Sequence, residues 1–303
     1  GDPGQALARA VETGELARQL GSEALLVDSA FVAAAAGGLV AGRGTPNLHV
    51  ELQTLVTDAL GRLGTDPDHD ATRARLLVHL AMTSDEPENR RLLASAARLA
   101  AERSDARLWQ AEALLVERGT YWGQGSTRDR TAFGEQAVAI AEEIGDPGLL
   151  ARAESLLARD RAACGDVSGA RALLESITSR DDVPAVVLSR VRLQQAGIDL
   201  YEGDINAASS AVERAVAGHY VRSTRDPHDP LATLLLVVAR AQGQLPDARV
   251  SLRDANLRWP ENLLWMGALA AAETDAGDHA AATSILDAAV DLTGRGPSSS
   301  GAV

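Results

Sequence analysis

Four segments of the chain open on glycine and then follow one pattern: GDVSGARALLESI from 165, GDINAASSAVERA from 203, GQLPDARVSLRDA from 243 and GDHAAATSILDAA from 277. Alanine stands five residues after each glycine (Ala170, Ala208, Ala248, Ala282), and leucine or valine nine after it (Leu174, Val212, Leu252, Leu286). The glycines recur at intervals of 38, 40 and 34 residues. Glycine supplies the left-handed residue that ends one helix, and the polar residues behind it cap the next. An alanine at the crossing point lets the paired helix come close, and the larger side chain one turn later fills the groove. A repeating unit of this length, built from two antiparallel helices, is the tetratricopeptide pattern.

Upstream the pattern is fainter. The stretch LLASAARLAAERSD (92–105) aligns with FGEQAVAIAEEIGD (133–146) at an offset of 41, which superposes Ala96 on Ala137, Leu99 on Ile140 and Ala100 on Ala141. LARQLGSEALL at 16–26 is a weaker echo. In VVLSRVRLQQAGIDLYEG, Val187, Val191, Ile198 and Tyr201 recur at helical spacing and predict one buried stripe. No segment shows the alternation of a strand. Pro46, Pro67, Pro87, Pro147, Pro184, Pro230, Pro246 and Pro260 fall where helices would begin or end. The expected fold is all-α: a tetratricopeptide-like right-handed superhelix of about seven antiparallel helix pairs. It spans residues 1–292, followed by a tail, 293–303, that is disordered by composition.

Composition narrows the function. Hydrophobic residues reach 46% but aromatics only 3%, so packing relies on alanine and leucine. The net charge is −13, and all 29 basic residues are arginine. Wrapping a nucleic-acid backbone needs a basic face that releases counterions, so no direct nucleic-acid contact is expected. The single cysteine, Cys164, excludes an internal disulfide framework and fits a reducing compartment. The longest apolar stretch, FVAAAAGGLV at 31–40, is about half of what a bilayer requires. GDPGQALARAVE lacks the basic start and apolar run of a signal peptide, and its opening without methionine reads as that of a fragment or processed chain. A cytoplasmic setting without membrane contact is the expectation.

The chain resembles the tetratricopeptide-like C-terminal region of bacterial multidomain transcriptional regulators: LuxR-family ATP-binding regulators and SARP-type antibiotic regulatory proteins. The residues that carry the likeness are LVTDALGRLGTDPDHDATRARLLVHLAM (55–82), RRLLASAARLAAERSDARLWQAEALL (90–115), YWGQGSTRDRTAFGEQAVAIAEEIGD (121–146) and LLESI after the Gly165 turn. The resemblance covers residues 45 to 290 and implies a scaffold or sensor arm that works beside an ATPase domain and a DNA-binding domain. It departs from the whole regulator in having no Walker motif and no helix-turn-helix signature after residue 290. What carries over is the arm.

Within the likeness, ERGTYWGQGSTRDRT (117–131) invites a reading as a phosphate loop. Its glycines, Gly119, Gly123 and Gly125, spell neither GxxxxGK[ST] nor GxGxxG, and what precedes them reads as a helix. Tyr121 and Trp122 are expected to cover the end of an apolar seam, with contact to a ligand as the alternative. The six histidines form no i+3 or i+4 pair and no Cys/His cluster, so neither a metal nor another cofactor is expected. His79 reads as a packed or edge histidine, and no nucleophile elbow is spelled, so no catalytic residue is expected.

The arginines carry the binding expectation. The first helices of successive pairs line the concave face, and Arg152, Arg159, Arg190 and Arg240 fall on them at polar positions. A guanidinium fork receives a carboxylate or phosphate two-pronged. The competing reading pairs each arginine with a nearby acid, such as Glu154 or Asp199. The sequence thus predicts a non-catalytic domain that binds a protein segment or small effector in its groove, and a homo-oligomer is compatible with it. The alternatives are a passive assembly scaffold or a small-molecule-processing enzyme on helical repeats.

Overall fold

The computed structural model describes residues 3–40, 46–84, 86–121, 126–217, 231–258 and 263–294. These form fifteen α-helices and no strand. In order they are α1 (Pro3–Leu20), α2 (Glu23–Val40), α3 (Pro46–Leu63), α4 (Asp70–Met82), α5 (Pro87–Arg103), α6 (Arg107–Arg118), α7 (Thr127–Ile144), α8 (Pro147–Ala163), α9 (Val167–Thr178), α10 (Ala185–Glu202), α11 (Ile205–Ala217), α12 (Leu231–Gln242), α13 (Leu245–Arg258), α14 (Leu263–Asp275) and α15 (His279–Gly294). A short 3₁₀ turn, Pro67–His69, precedes α4. Pro46, Pro87 and Pro147 each open a helix, where a missing N–H costs nothing. Pro230, Pro260 and most of the predicted tail lie outside the described residues, and the predicted boundary at 292 falls in the last turn of α15. Among the described residues no helix is long and apolar enough to cross a membrane.

The chain divides into two compact units between Val191 and Arg192, within α10. In the first, consecutive helices pack side by side, and the even-numbered ones also touch one another, α2 with α4 and α4 with α6. Its core is rich in alanine: Ala74, Ala94, Ala97, Ala101, Ala113, Ala137 and Ala151 are fully buried. The core of the second unit gathers Leu193, Ala196, Ala208, Val212, Val238, Leu252, Trp265, Leu269 and Ala272.

The hinge pattern is realised at each glycine. Gly165, Gly203, Gly243 and Gly277 have φ of 89°, 90°, 69° and 79°, the left-handed region open to glycine. Behind three of them an aspartate caps the next helix: Asp166 accepts from Gly169 N at 2.9 Å, Asp204 from Ala207 N at 2.9 Å and Asp278 from Ala281 N at 3.1 Å. Ala170, Ala208, Ala248 and Ala282 are all buried, as are Leu174, Val212 and Leu252; Leu286 departs from them at 50% exposed.

Two sequence readings need correction. The upstream alignment slips by one residue. At an offset of 40, buried Ala97, Ala100 and Ala101 fall on buried Ala137, Ile140 and Ala141, whereas Leu99 is exposed. The same offset sets Asp105, φ 51°, on the hinge glycine Gly145, φ 72°. In α10, Val191 and Ile198 are buried as expected, but Tyr201 is exposed, and Leu193 and Ala196 complete the buried set.

Candidate functional site

The even-numbered helices carry buried acids, each held by arginine. Asp70, at the start of α4, accepts from Arg103 Nε at 2.7 Å and Nη2 at 2.9 Å, and from Arg73. The Arg103 hydrogen bond is the main cause that holds the Asp70 carboxyl below its ordinary range. Glu117 on α6 accepts from Arg98 Nε at 3.1 Å. On α8, Asp160 accepts from Arg118 Nη2 at 2.7 Å and lies 3.3 Å from Arg130 Nε, so one carboxylate joins α6, α7 and α8. Glu154, also on α8, takes Arg180 at 2.6 Å; burial nevertheless pushes its carboxyl up. In the second unit Glu273 on α14 takes Arg253 at 2.7 Å and Arg249. Side chains this far from water stay charged only with a partner.

Arg75, in the middle of α4, is treated differently. Its guanidinium carbon lies 3.7 Å from the centre of the Phe31 ring on α2 and 5.3 Å from that of Trp109 on α6, so both neighbouring helices present an aromatic to it. Among the described residues no carboxylate hydrogen-bonds to it, and its Nε is shielded from solvent without a hydrogen-bond partner. Burial lowers its proton affinity, and the exposed Asp28, one turn before Phe31, partly offsets this through its charge. Trp109 packs against two buried clusters, one of Ala74, Ala100 and Ala101 and the other of Val78, Ala97 and Ala113. Its ring centre is 5.8 Å from that of His79, one turn after Arg75. Burial, and then the Arg75 charge, push the His79 pKa down to about 4, so the imidazole is neutral near pH 7. Further along, Glu112 on α6 meets Arg152 on α8. Phe31, Arg75, His79, Trp109, Glu112 and Arg152 thus form a strip across α2, α4, α6 and α8, every member partly exposed.

The arginines predicted from sequence all lie on even-numbered helices: Arg152 and Arg159 on α8, Arg190 on α10, Arg240 on α12. Arg152 joins the strip through Glu112. Arg159 and Arg190 are exposed. Arg240, in the second unit, bonds Asp275 of α14 at 2.6 Å. Tyr121 stands apart from that row, its ring 5.4 Å from Phe133 of α7 and close to Arg91 of α5. Trp122 lies outside the described residues. Sequence reasoning missed Arg75, Phe31 and Trp109. No repeat offset aligns them: Arg75 stands eleven residues after the Gly64 turn and Trp109 four after the Asp105 turn, so spacing gave no signal.

The second unit offers a different recess, a cleft of about 300 Å³ with Val212, Leu235, Val238 and Ala248 on its walls. Ser209, joined to Glu213 at 3.2 Å and Gln242 at 3.3 Å, supplies its polar edge. Among the described residues no group of three or more His, Cys, Asp or Glu side chains could hold a metal ion.

No family model and no curated protein sequence matches the chain. Solved structures do. A Rap protein complexed with competence and sporulation factor shares 12% identity over 89% of this chain and 75% of its own, with a TM-score of 0.58. The Rap conjugation gene regulator of plasmid pLS20, in complex with the Phr* peptide, shares 15% over 88% and 75%, at 0.59. The apo form of RapI shares 8% over 81% and 91%, at 0.53. At such identities the likeness shows the fold, an all-α tetratricopeptide-like array of helix pairs.

Proposed function

We propose that this chain is a non-catalytic interaction and effector-sensing domain of a bacterial transcriptional regulator, taking a partner segment or small effector on the face formed by α2, α4, α6 and α8. The observation that carries the reading is the strip from Phe31 to Arg152. Aromatic and charged side chains there stay partly exposed on four consecutive even-numbered helices, in a chain whose aromatics are only 3% of residues. Aromatics and arginine are the side chains on which binding energy concentrates. Two of the proteins that share the fold were solved with a bound factor or peptide, one of them a conjugation gene regulator, and this supports an extended segment as the occupant.

The residues between 45 and 290 that resemble LuxR-family and SARP-type regulators support an attached or partner ATPase or DNA-binding domain, in the cytoplasm. Occupancy then shifts an equilibrium between arm conformations. Arg159, Arg190 and Arg240 remain candidates for further contacts, as do Tyr121 and Trp122. The passive-scaffold alternative draws on Arg152–Glu112 and Arg240–Asp275, where the chain already neutralises its own arginines.

The test is selection of displayed random peptides on the immobilised chain, followed by calorimetry of the winners. Affinities should fall at least about tenfold, some 1.4 kcal/mol, in Trp109→Ala and Arg152→Ala. Binders indifferent to both substitutions, or no enrichment over a blank surface, would sink the reading.

A further inference from the structure

We infer that the Arg75 guanidinium, flanked by Phe31 and Trp109, is the subsite for one carboxylate of the segment bound on this face. The inference rests on the interaction-domain reading and names the chemistry of one contact within it.

The argument starts from how the rest of the molecule handles arginine. Arg103, Arg98, Arg118, Arg180 and Arg253 each reach a buried carboxylate on an even-numbered helix. Arg75 is partly exposed like most of these, yet its guanidinium faces two rings rather than a carboxylate, and its shielded Nε has no partner. A partly exposed cation packed between rings, with no bonded counter-charge, leaves its fork open to solvent, and an incoming anion can take it.

The surroundings select the anion. Asp28 is exposed nearby and the whole chain carries −13, so a multiply charged ligand is repelled. His79, the other titratable ring of the cluster, is neutral near pH 7 and adds no second positive charge. One guanidinium therefore faces one negative charge. A carboxylate matches the planar guanidinium fork with two parallel hydrogen bonds, and the rings on either side supply apolar walls for the carbon stem behind it. Both an acidic side chain and a C-terminal carboxylate carry this group.

The experiment uses the full chain and NMR of the Trp109 indole and His79 ring. The probes are a capped pentapeptide with one central glutamate, its glutamine counterpart, an uncharged pentapeptide with a free C-terminus, and inorganic phosphate. The glutamate or the C-terminal peptide should shift both signals saturably, and which of the two does so identifies the source of the carboxylate. Affinity should fall about tenfold in Arg75→Gln, in line with the loss of a charge-assisted contact. Arg75→Lys keeps the charge without the planar fork and should also weaken binding; it decides the matter if Arg75→Gln does not fold. Equal binding of the glutamine peptide, undiminished binding in the folded variants, saturation by phosphate alone, or no shift with any probe would each overturn the subsite. Selected peptides that still depend on Trp109 and Arg152 but not on Arg75 would remove this inference and leave the wider reading standing.

Discussion

The two units build the same helix pairs with different chemistry. In the second, the turns before α11, α13 and α15 are left-handed glycines, with buried alanines behind them. In the first, glycines are left-handed too, at Gly21, Gly64, Gly145 and Gly165, but the turn between α5 and α6 is left-handed at Asp105. Four buried acids there, Asp70, Glu117, Glu154 and Asp160, are clamped by arginine, against Glu273 alone among the described residues of the second. Shape complementarity tolerates gradual change; buried charge does not, because a clamp that loses one partner leaves the other stranded. The first unit should therefore be the more brittle, and its even-numbered layer the more fixed in geometry.

The strongest way to break this contrast is at the centre of the first unit. Asp160→Ala leaves Arg118, 2% exposed, and Arg130, 8% exposed, without the acid between them. We expect a loss of about 3–5 kcal/mol in urea unfolding followed by circular dichroism, as for other severed buried pairs. A loss below about 1 kcal/mol would mean that the clamp contributes no more than a surface pair.

Acid should separate the units next. The His79 pKa is about 4 in the folded chain, against an ordinary value of 6.5. Since the unfolded chain binds this proton more readily, the stability contribution is complete above pH 6.5 and is lost as the pH falls through 4. The loss between pH 7 and pH 4 is on the order of 3 kcal/mol. Asp70, whose carboxyl is held low, adds a loss of the same sign on the acid side. Comparison with His79→Gln isolates the imidazole: that variant should lose less stability over the same interval, and equal losses would place His79 outside its apolar surroundings.

Much of the second unit was legible because its signals are local. Glycine, a capping aspartate, alanine at five and a large aliphatic at nine are all set by one turn and the helix after it. The first unit's repeat was harder to place because Asp105 occupies a hinge position without glycine, and an alignment scored on residue type matched exposed Leu99 to buried Ile140. The strip from Phe31 to Arg152 was less legible still. Its residues come from four helices, and the sequence does not distinguish an arginine that meets a carboxylate from one that meets two rings. Arg152 and Arg75 carry the same side chain; only packing assigns Glu112 to the first and Phe31 and Trp109 to the second.

The hinge difference can be tested by exchange. A side chain added at Gly203 meets nothing within 4 Å, so Gly203→Ala isolates the backbone cost of φ 90°. That should be about 1–2 kcal/mol. Asp105→Gly relieves a strained φ of 51° and should move stability the other way by a few tenths of a kcal/mol, less because aspartate tolerates the left-handed region. Thermal melts with the same sign for both substitutions would show that the two turns are not equivalent positions of one repeat.

The smallest effect is expected at the end of the second unit. Leu286 occupies the position nine after its glycine that Leu174, Val212 and Leu252 fill elsewhere, but those three are buried and Leu286 is 50% exposed. Val290, one turn later on α15, is 65% exposed. The sequence pattern therefore prepares an apolar stripe there that no described helix covers. Truncation of an exposed leucine removes little buried surface, so Leu286→Ala should change stability by no more than about 0.5 kcal/mol in urea unfolding. A loss of about 2–5 kcal/mol, the range of a buried leucine, would mean that Leu286 is covered in solution. Sedimentation across a dilution series would then distinguish a second copy of the chain from a cover within the chain itself, because only the former makes the loss depend on concentration.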